Sequence, residues 1–468
     1  MAWGTLAVLA PFPLLQDARA NIGDYGFGSR TAALAGAGAA WGFGAFAAYS
    51  NPAGLPAAAG RKLDFSYGWL FMDPKFTPIQ SVTIQNDFNS DATTTGNVND
   101  DYRSVLGQTV GGAILVNPEW HQLSAGITLF TPFDPLGFTD TGEAYIPEYV
   151  LYRARGQRPQ IELGLGARVN ERFSLGLGLH VGYGITASGS VFLQTEDDTT
   201  SSMRVTASIK PQASPNLGWL LTSELPPEEP GSWSLGQTIR VENNAQTTMK
   251  FDSSARAFGS LAALDISFAA ASSMFYDPWT IETGMSWHHS PVGRLLVQVD
   301  FQNWRGFKRP ALNIQDPSQT CTAADPESCE PGGQPFIVNP SILPALSLRN
   351  TFTPRIAEEI QFGSSMLRLG YAFKPSIFSE LPTSSGNYLD PSKHIATLGW
   401  GWKLPTFLGW NTPASIDVHA SYQHLIAEHV TKTAGDETGD AGKTKIGAPG
   451  YDIGGRLWGG GATLTLEL

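Results

Sequence analysis

Charge is scarce in this chain: Asp, Glu, Lys and Arg make up only 15% of its 468 residues. The balance is acidic, at −12, which argues against nucleic acid as a partner, because that binding rests on basic patches meeting phosphates. Clean hydrophobic runs are missing too. No span after residue 60 reads as a membrane helix, although the mean hydropathy of −0.11 is close to neutral. Cysteine is nearly absent: Cys321 and Cys329 are the only two, in a stretch rich in Pro, Gly and Asp. No His cluster lies nearby and zinc normally needs four ligands, so a disulfide stapling a loop in an oxidising compartment is favoured over a metal site. Catalytic signatures are lacking as well. There is no Walker loop, no HExxH and no credible dinucleotide fingerprint, and no cofactor is expected. His288, His289 and Ser290 offer a base and a nucleophile only on paper, because they fall at an expected tight turn.

What is present in quantity is glycine, at 51 residues, and aromatics, with 13 Trp, 13 Tyr and 25 Phe. Low charge, many Gly and aromatics, and no long helix together fit a transmembrane β-barrel, whose alternating strands average out in hydropathy. The sequence beyond residue 60 has that period of two. Leu63, Phe65, Tyr67, Trp69 and Phe71 alternate with Asp64, Ser66, Gly68 and Leu70. Ile161, Leu163, Leu165, Ala167 and Val169 alternate with Glu162, Gly164, Gly166 and Arg168, and after Asn170-Glu171-Arg172 the pattern resumes from Phe173 to Ile185. The polar side of these strands is Gly, Ser, His, Glu and Arg, which suits a lumen better than a greasy core. Runs of this length match a tilted membrane crossing, which takes about 9–11 residues.

Later strands are expected over 295–302, 367–374 and 416–423, and the chain ends on the amphipathic Thr463–Leu468. Short turns fall at Asn170–Arg172, Ser290–Gly293 and Ser364–Ser365. Long polar stretches fall at 85–103, 306–340, 375–392 and 427–452. Such alternation is the signature of short periplasmic turns and long outer loops, and about 14 strands fit, an even number being usual. The division is least clear over 187–280. There Ala257–Tyr276 tempts as a helix but carries Asp265 and several Ser, so strand, loop and strand is preferred. Trp304, Phe307, Trp400, Trp402, Trp410 and Trp458 suit a membrane-interface girdle.

The N-terminus has an apolar core, Leu6–Leu15, and Ala18-Arg19-Ala20 in the small-x-small form of a signal-peptidase site, although the usual basic n-region is missing. Residues 1–20 are thus expected to be removed. From Thr31 to Gly60 no side chain is charged. Glycines at 36, 38, 42, 44, 54 and 60 and prolines at 52 and 56 nevertheless break any lipid-facing helix. A segment too apolar for water and too broken for lipid is best housed inside protein. Residues 21–60 are therefore expected to sit in the lumen of a barrel formed by 61–468.

The Gly/Ala-rich segment ending Asn51-Pro52-Ala53-Gly54-Leu55, the later run Val299-Asp300-Phe301-Gln302-Asn303-Trp304-Arg305-Gly306-Phe307, the strand Arg368-Leu369-Gly370-Tyr371, and Leu389-Asp390-Pro391-Ser392-Lys393-His394 resemble, in order, the FadL/TodX family of outer-membrane transporters. The resemblance covers nearly the whole chain after residue 20. It implies an all-β fold, a transmembrane antiparallel barrel plugged by an N-terminal hatch. It also implies transport of hydrophobic small molecules, long-chain fatty acids or aromatic hydrocarbons, with exit sideways into lipid and no enzymatic activity. Asn51, Pro52 and Ala53 match the hatch motif, with Gly54 following. Relatives often carry acidic residues just before it, whereas this chain has Trp41-Gly42-Phe43-Gly44-Ala45-Phe46, which implies a hatch that moves differently or accepts a less polar ligand.

Asn51 and Pro52 read equally as an ordinary turn and as the latch of a gate. Tyr25 and Phe27 read first as packing and second as a tail reaching a ligand pocket. A fatty-acid carboxylate would want a cation, an interaction worth roughly 1.5–3 kcal/mol. The candidates are Arg153, Arg155 and Arg158, and Lys308 with Arg309, though rim charge or contact with lipopolysaccharide phosphates is the simpler reading of both clusters. A monomer in the outer-membrane lipid is expected. The rivals are a passive porin for polar solutes, a barrel enzyme acting on lipids, and an adhesive surface protein.

Overall fold

Alternation of apolar and polar residues lets a strand face lipid on one side and protein on the other. In the computed structural model, 14 such strands close into one antiparallel barrel. The structure describes residues 27–42, 44–58, 63–85, 93–96, 102, 104–117, 122–133, 147–152, 159–194, 202–256, 263–307, 313–321, 346–380, 388–406, 412–432, 445–446 and 449–468. The first strands are β1 (Leu63–Phe76), β2 (Val105–Asn117), β3 (Leu123–Pro132), β4 (Gln160–Arg168) and β5 (Phe173–Gln194). They continue as β6 (Ser202–Thr222), β7 (Trp233–Arg240), β8 (Trp279–Ser290), β9 (Gly293–Asn303) and β10 (Thr351–Phe362). The last are β11 (Ser365–Lys374), β12 (Lys393–Leu404), β13 (Ala414–Thr431) and β14 (Gly450–Glu467). Closure comes from β1 against β14, in register from Asp64 opposite Glu467 to Phe76 opposite Gly455.

The wall is inside out relative to a soluble protein. Leu163, Leu165, Leu175, Leu177, Trp69 and Phe352 are exposed on the outer face. Buried on the inner face are Glu162, Ser174, Asp300, Arg355, Glu359 and Asp417. A surface of that kind is stable only where the outer solvent is hydrocarbon. Leu177, 62% exposed, is a clean place to test it. Leu177→Arg should cost about 2–4 kcal/mol, the penalty for a cation facing mid-bilayer, read as a shift in the urea midpoint for folding into lipid vesicles. The same change at Leu225, in the short connection 223–232, should be nearly silent.

Connections alternate in length. Those at 118–122, 169–172, 223–232, 291–292, 363–364 and 405–413 are short and share an end with the start of β1 and with Leu468. At the other end, 77–104, 133–159, 241–278, 304–350, 375–392 and 432–449 are long, and β5 and β6 rise past the rim. The expected turns at Asn170–Arg172, Ser290–Gly293 and Ser364–Ser365 are all present.

The region 187–280 departs from expectation. The described part of Ala257–Tyr276 belongs to one strand, Ala263–Asp277, not to a strand, loop and strand. It pairs with Asn243–Arg256 on one side and Asn313–Cys321 on the other, so part of the stretch taken as loop over 306–340 is also strand. Asn243–Arg256 in turn lies parallel to the top of β5. Unpaired strand edges at the long-loop end are thereby satisfied by chain from between barrel strands, which alternation alone does not reveal. A further loop pairing joins Glu148–Tyr149 to Tyr388–Leu389.

Candidate functional site

The described residues between 27 and 58 lie against the inner wall, folded as α1 (Ser29–Ala33), α2 (Ala47–Ser50), a 3-10 turn Pro52–Gly54 and α3 (Leu55–Ala58). Positive φ at Gly36 and Gly44 ends any run of helix between α1 and α2, and Pro52 starts the 3-10 turn. Such a broken segment leaves backbone groups unpaired, and side chains of the wall supply partners. Thr463 Oγ1 accepts from the Ser29 amide at 2.9 Å, and Gln298 Oε1 accepts from the Ala39 amide at 2.9 Å. The hydroxyls of Thr397, Ser234 and Thr238 donate to the carbonyls of Ala33, Ala40 and Ser50 at 2.7, 2.8 and 2.9 Å. Arg240 and Arg355 donate to the carbonyls of Tyr49 and Ala35.

Asn51 is the densest of these junctions. Its Nδ2 donates to the carbonyls of Ala39 at 2.7 Å and of Trp219 on β6 at 3.0 Å, and its Oδ1 accepts from the Ala53 amide at 3.0 Å. The wall is cut back to admit it. A Cβ on Gly218 would stand 2.1 Å from Asn51 Oδ1, and one on Gly176 would stand 2.2 Å from the Ala53 nitrogen. Gly176 and Gly218 are thus places where a strand leaves no room for a side chain beside the inner segment. Asn51→Leu removes three bonds at a 1% exposed position. Its expected cost is about 2–4 kcal/mol, since each buried group left unpaired costs about 1–3 kcal/mol, measured as a lowered thermal midpoint of the detergent-solubilised protein.

The segment and the wall also share buried charge. Glu359 on β10 accepts from Arg30 at 3.0 and 3.1 Å, from Arg368 on β11 at 2.8 Å, and from Trp41 Nε1 at 2.6 Å. Arg368 continues to Asp417 on β13 at 2.5 Å, and the Arg294 guanidinium lies 3.6 Å from the centre of the Trp41 ring. Where an acidic residue was expected in relatives, this chain offers an indole that binds an acid on the wall.

Above this polar zone the lumen changes character. Along β1 the inward residues pass from Asp64 and Ser66 to Leu70 and Met72, and along β13 from Asp417 and Gln423 to Leu425. At the long-loop end these join Phe27, Phe130, Tyr149, Trp304, Phe307 and Tyr388 in one buried cluster. Tyr149 and Phe76 stack at 4.1 Å there, and burial pushes the Tyr149 phenol up to about 12, so it is neutral over the ordinary pH range. A cavity of about 100 Å³ lies between the zones, bounded by Tyr49 of the inner segment, Glu162, Arg240, Glu282, Tyr276 and Trp304. Burial likewise raises the Tyr49 phenol above its ordinary value.

No protein-family model matches the chain, and no curated protein matches it in sequence. Solved structures do match. A FadL homologue from Pseudomonas aeruginosa superposes with a TM-score of 0.59 at 12% identity, over 94% of this chain and 98% of that one. The P. putida toluene transporter TodX superposes with a TM-score of 0.52 at 12% identity, over 95% of this chain and 99% of that one. The chain has the fold of these transport barrels.

Within this FadL-like fold the sequence-derived candidates fare unevenly. Asn51, Pro52, Ala53 and Gly54 are all buried against β4, β5 and β6. Phe27 is 1% exposed and packs on Tyr49 at 4.3 Å, at the border of the two zones. Tyr25, Arg153, Arg155, Arg158, Lys308, Arg309 and Cys329 lie outside the described residues, as do 1–20 and Trp410; Cys321 ends a strand. Trp304 and Phe307 do not belong to the girdle: a 3-10 turn at Trp304–Gly306 folds both into the interior, at 2% and 6% exposure. Trp402 and Trp458 do face outward, and Trp400 is half-buried. His288 and His289 point to opposite faces of β8, His289 meeting Glu358 at 2.7 Å, so the two do not share one site. The ion pairs around Glu359, Asp300 and Glu282 had no sequence signal beyond charge at inward positions.

Proposed function

We propose that the chain is an outer-membrane transporter that moves hydrophobic small molecules, long-chain fatty acids or aromatic hydrocarbons, by energy-independent facilitated diffusion. One observation carries this reading: a buried aromatic zone at the long-loop end stands over a polar zone filled by the N-terminal segment. Loops would gather an apolar molecule into the aromatic zone. The segment formed by residues 21–60 would act as a hatch that denies it, and water, a straight path. Exit sideways into lipid avoids returning the molecule to water, which costs about 0.8 kcal/mol per CH₂. A passive porin is disfavoured by the filled lumen, and a barrel enzyme by the divergence of His288 and His289. The superposed FadL homologue and toluene transporter support the same reading by analogy. The barrel would work as a monomer, with its outer face in lipid and its rim near lipopolysaccharide.

The test is uptake of labelled toluene and oleate by cells making the protein in place of their own hydrophobic-compound channels. Uptake at least several-fold above cells with an unrelated barrel supports the reading. Uptake no faster than that control, with the protein folded in the outer membrane, refutes it.

A further inference from the structure

The cavity beside Tyr49 holds more hydrogen-bonding capacity than its own residues use. Asn243, 2% exposed, has neither its carboxamide nitrogen nor its oxygen paired among the described residues. Asn216, 3% exposed, donates to Glu162 at 3.3 Å and leaves its Oδ1 without a partner among the described residues. His180 meets Glu162 through Nδ1 at 2.5 Å, and its buried Nε2 has no hydrogen-bond partner among the described residues, with an Asp277 carboxylate oxygen 3.8 Å away. All three residues line the cavity. Native interiors rarely leave such groups unmatched, and a cluster of them marks a place where another polar group belongs.

The chemistry of the missing partner follows from the inventory. In the neutral ring Nδ1 of His180 carries the proton shared with Glu162, because a carboxylate only accepts, and Nε2 presents a lone pair. Unmatched acceptors, Oδ1 of Asn216, Oδ1 of Asn243 and Nε2 of His180, then outnumber the donor, Nδ2 of Asn243. The charged lining adds no call for an anion. Its cations are Arg240, held by Glu282 at 3.2 Å, Arg355, held by Asp300 at 2.6 Å, and Lys374, and they face four carboxylates, Glu162, Asp277, Glu282 and Asp300. Tyr276 and Trp304 belong both to the cavity wall and to the buried aromatic cluster, so a ligand can place one end in each.

Resting on the reading of the barrel as a transporter of apolar molecules, we propose that this cavity receives the polar end of an amphipathic ligand, and that this end is a hydrogen-bond donor, a hydroxyl or an amine, not a carboxylate. A carboxylate would set acceptors against acceptors. A bare hydrocarbon would leave every one of them unmatched.

The full chain in lipid nanodiscs, titrated calorimetrically with benzyl alcohol, benzylamine, benzoate and toluene, tests this. The better of benzyl alcohol and benzylamine should bind about tenfold tighter than benzoate, the factor one or two net hydrogen bonds supply. The preference should shrink at least about threefold when two of the acceptors are removed together, in Asn216→Leu/Asn243→Leu. Should that variant not fold, Asn243→Asp keeps the shape and should shift preference further toward benzylamine. Benzoate binding as tightly as the alcohol and the amine, or an undiminished preference in the Asn216→Leu/Asn243→Leu variant, would overturn the assignment. The toluene arm is separate: failure of toluene to bind or be taken up counts against the transporter reading, whereas toluene binding without preference for a donor counts against the cavity assignment alone.

Discussion

Oxidation of a variant carrying Ala39→Cys and Gly284→Cys should stop uptake of an apolar tracer, and reduction should restore it. A Cβ on Gly284 of β8 would lie 3.4 Å from the Cβ of Ala39, just under the range of about 3.5–4.5 Å that a disulfide spans, so a slight outward shift admits the bond. The residue to be locked is well held already. The Ala39 amide donates to Gln298, and its carbonyl accepts from Asn51. A covalent bond there joins the centre of the N-terminal segment to the wall. With Cys321 and Cys329 changed to Ser, only the engineered pair responds to oxidant. Loss of uptake by a factor of ten or more on oxidation is the result a moving hatch requires. Equal uptake in both redox states would show that the route bypasses this part of the segment.

Loss of the Glu359 carboxylate should loosen the same segment by another route. It is 3% exposed, with Arg30, Arg368 and Trp41 all donating to it. Glu359→Ala leaves Arg30 and Arg368 facing one another with only Asp417 in compensation. Breaking a buried pair of this kind costs about 3–5 kcal/mol. The expected outcome is a lower thermal midpoint together with flickering ion conductance in planar bilayers. The neighbouring Glu358 is the control. It lies on the other face of β10 and pairs with half-exposed His289, so Glu358→Ala should cost no more than about 1 kcal/mol. Similar effects at both positions would mean that the shared carboxylate does not anchor the segment.

Much of this architecture was legible in the sequence because lipid and lumen impose opposite demands on alternate residues. Leu175, Leu177 and Leu179 against Ser174, Gly176, Gly178 and His180 state the strand, its outer face and its inner face at once. The absence of charge from Thr31 to Gly60, with its glycines and prolines, likewise stated a segment needing a protein wall. Three features were not legible. Trp304 and Phe307 look like girdle residues because aromatics suit both an interface and a core, and only the turn at Trp304–Gly306 decides between them. The pairing of Asn243–Arg256 with Ala263–Asp277 and then Asn313–Cys321 depends on edges at the barrel rim, which have no local signature. The charge network at Glu359 joins three distant parts of the chain, Arg30, the hairpin that carries Glu359 and Arg368, and Asp417, and only the folded barrel around its inner segment brings them together.

The same limit applies to the cavity. Asn216, Asn243 and His180 each read as an ordinary inward polar residue, and their unpaired atoms become visible only where β5, β6 and the chain after β7 converge on Tyr49.

Ion conductance of the intact protein in a planar lipid bilayer probes the filled lumen most directly. With the N-terminal segment docked on Thr463, Gln298, Trp219 and Glu359, the barrel should show no steady open state, while vesicles holding the same preparation take up labelled toluene. A large, steady, ohmic conductance from the unmodified protein would mean that the lumen is open to water, and that the molecule works as a polar-solute pore.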